Sequence, residues 1–130
     1  MARIFLSAFD YGISRVEEKK GVFELSHVLP EKRVRCLATT ARNPEVIYAG
    51  VSDDGIWISE DTGVNWQRLA TTQKEIKSIS VDPLDPDDIL AGVKPAGIIR
   101  SIDGGSTWAE MENFQKIKGR WWWLSPADPP

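Results

Sequence analysis

Apolar positions along the chain come in short alternating runs separated by glycine, proline and aspartate. Arg33–Thr40 and Ile76–Asp82 alternate in this way and end in Ala41-Arg42-Asn43-Pro44 and Pro83-Leu84-Asp85-Pro86, so each reads as a first strand. Val46–Val51 and Ile89–Val93 follow as second strands, short and apolar. Gly55 and Gly97 mark hairpins into third strands, Ile56–Ile58 and Ile98–Arg100, and Trp66–Ala70 and Trp108–Glu112 supply the fourth. Short strands at even spacing with turn signals between them predict an all-β protein.

The two sets are copies of one unit. Residues 43–66 align without a gap on residues 85–108, an offset of 42. Pro44, Ile47, Ala49, Gly50, Val51, Gly55, Ile56, Ser59, Asp61, Gly63 and Trp66 each recur unchanged at that offset. Self-similarity at a period near 40 marks a repeat architecture in which each repeat is one supersecondary unit.

The best-preserved part is SEDTGVNW (59–66) and its copy SIDGGSTW (101–108). Asp61 and Asp103 stand where a carboxylate accepts backbone N–H bonds of a tight turn. Gly63 and Gly105 supply the positive φ that such a turn often needs. Ser59 and Ser101 open the signature, and Trp66 and Trp108 begin the next strand, where a large ring can be buried between sheets. Neither aspartate has the alternating oxygen ligands of a calcium loop, so a structural role is expected. The signature resembles the Asp-box, or BNR repeat, with pattern Ser-x-Asp-x-Gly-x-x-Trp, and the second copy also has the Thr107 common before the tryptophan. That repeat is found in sialidases, sortilin-type receptors and photosystem assembly propellers. The resemblance covers roughly residues 33–124 and implies a β-propeller of four-stranded antiparallel blades. It implies no single activity, because the fold serves many.

The ends of the chain carry degenerate repeat material. Residues 2–16 resemble strands two and three, with Ala8 and Gly12 where Val51 and Gly55 would be, an offset of 43. Gly21–Leu29 takes the fourth-strand place, and VEEKKGVF (16–23) replaces the box. Arg120–Ser125 aligns with Lys77–Asp82, again at 43. The expected division is a partial blade at 1–32, blades at 33–74 and 75–115, and the first strand of a further blade at 116–130. About three blade equivalents do not close a ring, since propellers have about four to eight. Either the chain is the N-terminal part of a longer protein, or two copies make six blades. In the second case Arg120–Ser125 completes the N-terminal blade of a neighbour. The halt at Pro129-Pro130, where the next second strand is due, favours the first.

Composition changes little. The chain is 42% hydrophobic and 27% charged with a net charge of −3, so no broad pull toward nucleic acid or membranes is expected. Cys36 is the only cysteine, which predicts a reducing compartment and hence a cytoplasmic location. No signal peptide or apolar span is readable in MARIFLSAFDYG or beyond it. His27 is the only histidine and reads as an ordinary edge-strand residue, so neither a metal nor another cofactor is expected.

Two groups could form a ligand surface. In KIKGRWWW (116–123), Trp121 and Trp123 share one face of a strand and Trp122 takes the other. Aromatic platforms beside cations such as Arg120 hold sugars or stack bases; the alternative is packing between blades. Arg35, Lys77 and Arg120 occupy equivalent places near the start of each first strand, where they could ring a channel mouth and attract an anion, or stand as solvated strand ends. The sialidase resemblance would require an arginine clamp, a tyrosine nucleophile with a glutamate partner, and an acidic residue. Tyr11 and Tyr48 are the only tyrosines, and Tyr48 sits in a core position in register with Leu90. No catalytic residue of that family can be carried onto this chain. The expectation is a non-catalytic binding or scaffold module for a protein or carbohydrate ligand. The alternatives are a piece of a glycoside hydrolase propeller with its catalytic residues elsewhere, and an assembly factor.

Overall fold

A computed structural model describes residues 2–70, 72 and 74–118. Strands β1 (Arg3–Phe9), β2 (Gly12–Lys19) and β3 (Val22–Val28) form a first antiparallel sheet in the order β1-β2-β3. Strands β4 (Val34–Thr40), β5 (Asn43–Val51), β6 (Gly55–Ser59) and β7 (Gln67–Ala70) form the middle sheet in chain order. The last sheet repeats that meander with β8 (Glu75–Val81), β9 (Ile89–Lys94), β10 (Gly97–Ser101) and β11 (Ala109–Glu110), followed by one helical turn, α1 (Glu112–Gln115).

The sheets stack in chain order, and the middle one is buried on both faces. Ala49 and Val51 pack toward the first sheet with Ile13, Leu29 and Val34. Tyr48, Ile56 and Ile58 pack toward the last sheet with Ile76, Ile89, Ala91, Val93 and Ile99. Two-sided burial is why β5 carries an unbroken apolar stretch in place of alternation with polar residues. Strands β4 and β8 lie against each other at this second junction.

Three details depart from the sequence reading. Phe9, and not Ala8, takes the place of Val51: β5 and β6 are joined by three residues with Val51 opposite Gly55, whereas β1 and β2 are joined by Asp10-Tyr11 with Phe9 opposite Gly12. A one-residue slip exchanges the two faces of a strand. Leu6 and Ala8 therefore pack on the middle sheet, while Phe5 and Phe9 stay 52% and 37% exposed on the outer side. Where VEEKKGVF replaces the box, β2 runs on through Lys19 and turns tightly into β3, with Lys20 at φ 51° and Gly21 at φ 80°, the two positive values of a type I′ hairpin. Finally, β11 stops at Glu110. The Met111 N–H still bonds Ile98 O at 2.9 Å, and Glu112 then opens α1, where an acidic first turn suits the helix N-terminus.

Candidate functional site

The two signature turns have the same internal bonding. The Ser59 hydroxyl donates to Asp61 Oδ1 at 2.8 Å and accepts the Gly63 N–H at 2.8 Å. Asp61 Oδ1 also takes the N–H groups of Val64 and Asn65 at 3.1 and 2.8 Å, and Oδ2 takes the Asn65 amide at 2.7 Å. Ser101, Asp103, Gly105 and Thr107 repeat the set, with Thr107 Oγ1 donating to Asp103 Oδ2 where Asn65 does so in the first copy. These donors favour the ionised carboxylate. The Asn65 backbone N–H above all holds Asp61 at about 2; the Thr107 hydroxyl above all holds Asp103 at about 2. Gly63 and Gly105 have φ of 85° and 94°. Trp66 and Trp108 lie one residue ahead of their strands, half-buried, and each indole N–H bonds back to the carbonyl of its own turn glycine at 2.9 Å. The carboxylate oxygens are thus engaged by the loop itself, so these turns brace the fold.

Each turn is also held by the preceding sheet. The carbonyl of Thr62 accepts Arg15 Nε from β2 at 3.0 Å, and the equivalent Gly104 carbonyl accepts the Tyr48 hydroxyl from β5 at 3.5 Å. Arg15 is 7% exposed and has Glu17 at 3.2 Å as counter-ion. Tyr48 lines a cleft of about 170 Å³ between the middle and last sheets, together with Thr40, Asn43, Glu60 and Asp87. Burial raises its hydroxyl pKa, and the negative charges of Asp87 and Glu60 add to that.

A second locus lies where the innermost strands begin. Arg35 on β4 donates to the Ser52 hydroxyl at 2.9 Å and stands 3.6 Å from Asp10 and 4.0 Å from Glu75. Glu75 pairs Lys77 at 3.1 Å along the same face of β8. Arg33 also faces Asp10, at 3.9 Å, and Tyr11 beside it is 75% exposed. The structure therefore brings Arg35 and Lys77 to one rim, as equivalent strand starts require, and sets Glu75 between them. Among the described residues this rim carries both signs. The sequence reading gave Glu75, Asp10, Arg33 and Tyr11 no place at this rim, although the i, i+2 spacing of Glu75 and Lys77 on a strand already puts those two on one face.

A third locus is a gap. The middle and last sheets begin with innermost strands β4 and β8; the first sheet has no counterpart, and one edge of β1 is unpaired among the described residues. Beside that edge runs a mostly apolar cleft of about 570 Å³, lined by Ile4, Leu6, Leu37 and Ile47 among others. Arg120, Trp121 and Trp123, and most of the strand expected over 116–130, lie outside the described residues. Among those described, no group of three or more metal-ligating side chains gathers, and no helix is long and apolar enough to cross a membrane.

No protein-family model matches the sequence, and no curated protein matches it. Solved structures do. A GH74 enzyme from Niastella koreensis superposes with a TM-score of 0.66 at 20% identity, over 85% of this chain and 20% of that one. The structure of YCF48 bound to D1 peptide gives 0.58 at 12% identity, over 85% of this chain and 43% of that one. A chain of the nidogen/laminin complex gives 0.62 at 14%, over 85% and 44%. At such identities the likeness shows the fold, which is that of β-propeller blades. The chain spans between a fifth and less than half of the length of these structures.

Proposed function

We propose that this chain is a non-catalytic binding or scaffold module of the Asp-box propeller type, and that the rim of Tyr11, Arg33, Arg35, Glu75 and Lys77 receives a protein partner. The observation that carries the reading is an exposed tyrosine beside arginines and carboxylates at the strand starts. Tyrosine and arginine are the side chains that anchor protein interfaces, and a rim of both signs suits a mixed-charge surface better than a simple anion. Two of the similar structures are named for a bound peptide or a protein complex, which favours a protein over a sugar. With Cys36 as the only cysteine, we place the chain in the reducing cytoplasm, a point that cell fractionation checks. The functional test is capture of a partner followed by hydrogen exchange. Protection of residues 10–12 and 33–35, with capture lost in Tyr11→Ala and Arg35→Glu, is the expected result. Undiminished capture by both variants, or turnover of a glycoside panel by the unmodified chain, would sink the reading.

One observation favours a glycoside hydrolase instead. Glu60 and Asp87 line the same cleft as Tyr48, and glycosidases work with two carboxylates across the scissile bond. On that reading Glu60→Gln and Asp87→Asn each abolish turnover of the same glycoside panel.

A further inference from the structure

We infer that the outer edge of β3 docks a second copy of this chain, whose own β3 pairs with it antiparallel about a two-fold axis at Leu25. Among the described residues the outermost strand of each sheet, β3, β7 or β11, has one open edge. A long regular edge is a template for another strand, so native edges are blunted by shortness, basic charge or a bulge. Strand β7 is four residues long, carries Arg68 and meets β6 through a register shift, and β11 is two residues long. Strand β3 has none of these devices. It runs for seven residues in unbroken register with β2, holds no proline, lysine or arginine, and leaves Val22, Phe23 and Leu25 63%, 65% and 65% exposed.

The hairpin decides which backbone groups face outward. Lys19 and Val22 flank its two-residue turn and exchange both N–H···O bonds, so the groups of Val22, Glu24, Ser26 and Val28 turn toward β2. Those of Phe23, Leu25 and His27 turn away from it. A two-fold pair sets the same surface of both copies together. With the axis at Leu25, Leu25 stands opposite Leu25 and Phe23 opposite His27, and every outward N–H and C=O of these three residues finds a partner. An axis at Glu24 or Ser26 leaves His27 or Phe23 without a strand partner, and at Glu24 it also sets two carboxylates opposite each other.

The side chains agree with that register. Phe23, Leu25 and His27 share the outer face of the sheet with Phe5 and Phe9, and the Phe9 ring stands edge-on to His27 at 6.0 Å. The axis therefore packs Leu25 on Leu25 between two Phe23–His27 pairs, the kind of cross-strand contact that stabilises a sheet. Glu24, the only carboxylate on the strand, meets Ser26. Past the strand ends, the exposed Lys20 of each hairpin comes level with Pro30 and the exposed Glu31 of the second copy, so the signs are complementary there. A strand of this sequence is thus matched by itself, which is why the occupant is a second copy.

The test uses the full chain. Sedimentation across a dilution series should show a dimer of twice the 14.6 kDa of one copy. Leu25→Lys should abolish that dimer and leave the urea midpoint unchanged at low concentration. The register is read by cross-linking under mild oxidation in a Cys36→Ala background. Leu25→Cys should form a disulfide with its own copy, since opposed residues of this kind lie about 5.5 Å apart, within disulfide reach. Phe23→Cys should react when mixed with His27→Cys and several-fold more slowly alone, because the two copies of residue 23 lie about 14 Å apart along the strands. A monomer at every concentration overturns the inference. So does a dimer that survives Leu25→Lys, or a Phe23→Cys chain that cross-links alone as fast as Leu25→Cys.

Discussion

The two junctions between sheets solve one packing problem with different parts. At the second junction β4 lies against β8, and a continuous core runs from Tyr48 and Ile56 through Ile76 to Ile99. At the first junction no innermost strand lies opposite β4 among the described residues, and the core around Ile13, Val34 and Val51 gives way to an open apolar cleft. The signature turn behind each junction is nevertheless tied to the preceding sheet through the same carbonyl, by Arg15 in one case and Tyr48 in the other. The repeat thus conserves the place of a bond and leaves its chemistry free. Among the described residues, what separates the junctions is one strand: Leu6 borders an open cleft, where Tyr48, in the same place of the repeat, is buried at the closed junction.

The largest expected effect tests that difference directly. Ile76 is fully buried at the closed junction, so Ile76→Ala should cost about 2–5 kcal/mol, the transfer loss plus an unfilled cavity. Leu6 is half-buried and lines the cleft, so Leu6→Ala should cost about 1 kcal/mol while the cleft is open. Urea midpoints of both variants measure the contrast. Equal losses at low protein concentration would mean that the first junction is closed in the single chain. A Leu6→Ala cost that grows with concentration would show the cleft being filled by a second copy.

A smaller contrast comes from one repeat position. A Cβ on Gly50 would lie 2.6 Å from Cys36 Sγ and 2.7 Å from Ile76 Cγ2, between two packed sheets. On Gly92, its repeat partner, the Cβ would meet the Ser78 hydroxyl at 2.6 Å on the outer face, and that hydroxyl can rotate away. Gly50→Ala should therefore cost about 1–3 kcal/mol as overpacking, and Gly92→Ala should be close to neutral, since alanine is also about 0.5–1 kcal/mol better than glycine within a strand. Thermal midpoints separate the two, and a Gly92→Ala loss as large as that of Gly50→Ala would mean the outer face is itself covered.

Acid should loosen both junctions at their turns. Asp61 and Asp103 are held at about 2, below the ordinary 3.8, by bonds that exist only in the fold. A lowered folded pKa gives stability that is complete above the unfolded value and is lost as pH falls through the folded one. The urea midpoint should therefore hold down to about pH 4.5 and drop between about pH 4 and pH 2. Asp61→Asn and Asp103→Asn should each lower the midpoint at neutral pH and flatten the acid limb. An unchanged limb in the double variant would mean that the acid response belongs to the salt-bridged carboxylates, such as Asp54 and Asp88.

The repeat made the four-stranded sheets and their turns legible, because the residues that recur at an offset of 42 are those the turn and the two-sided core require. The register of β1 was not legible. Gly12 aligns with Gly55, but a two-residue connection replaces a three-residue one, and the count of turn residues decides which face every earlier side chain takes. Nor could composition show that Glu75 stands between Arg35 and Lys77. Two strands from different repeats meet there, and the charge balance of the rim belongs to that meeting rather than to either strand alone.

The smallest expected effect lies inside the turns. Thr62 and Gly104 hold the same place, ahead of the turn glycine, with φ of 59° and 68°. A left-handed backbone costs a β-branched residue about 1–3 kcal/mol, so Gly104→Thr should destabilise by about 1–2 kcal/mol. The reverse change does not simply return that amount. Thr62→Gly relieves the strain but adds about 0.5–1 kcal/mol of unfolded-chain entropy, and it removes the hydroxyl that Arg15 also reaches at 3.4 Å. Its net effect should stay within about 1 kcal/mol of zero. Urea midpoints for the two single variants and the double exchange decide the matter. A neutral Gly104→Thr would show that the second turn does not need its left-handed residue. A gain above about 1 kcal/mol in Thr62→Gly would show that the Arg15 contact with the threonine hydroxyl adds nothing to the first junction beyond its bond to the carbonyl.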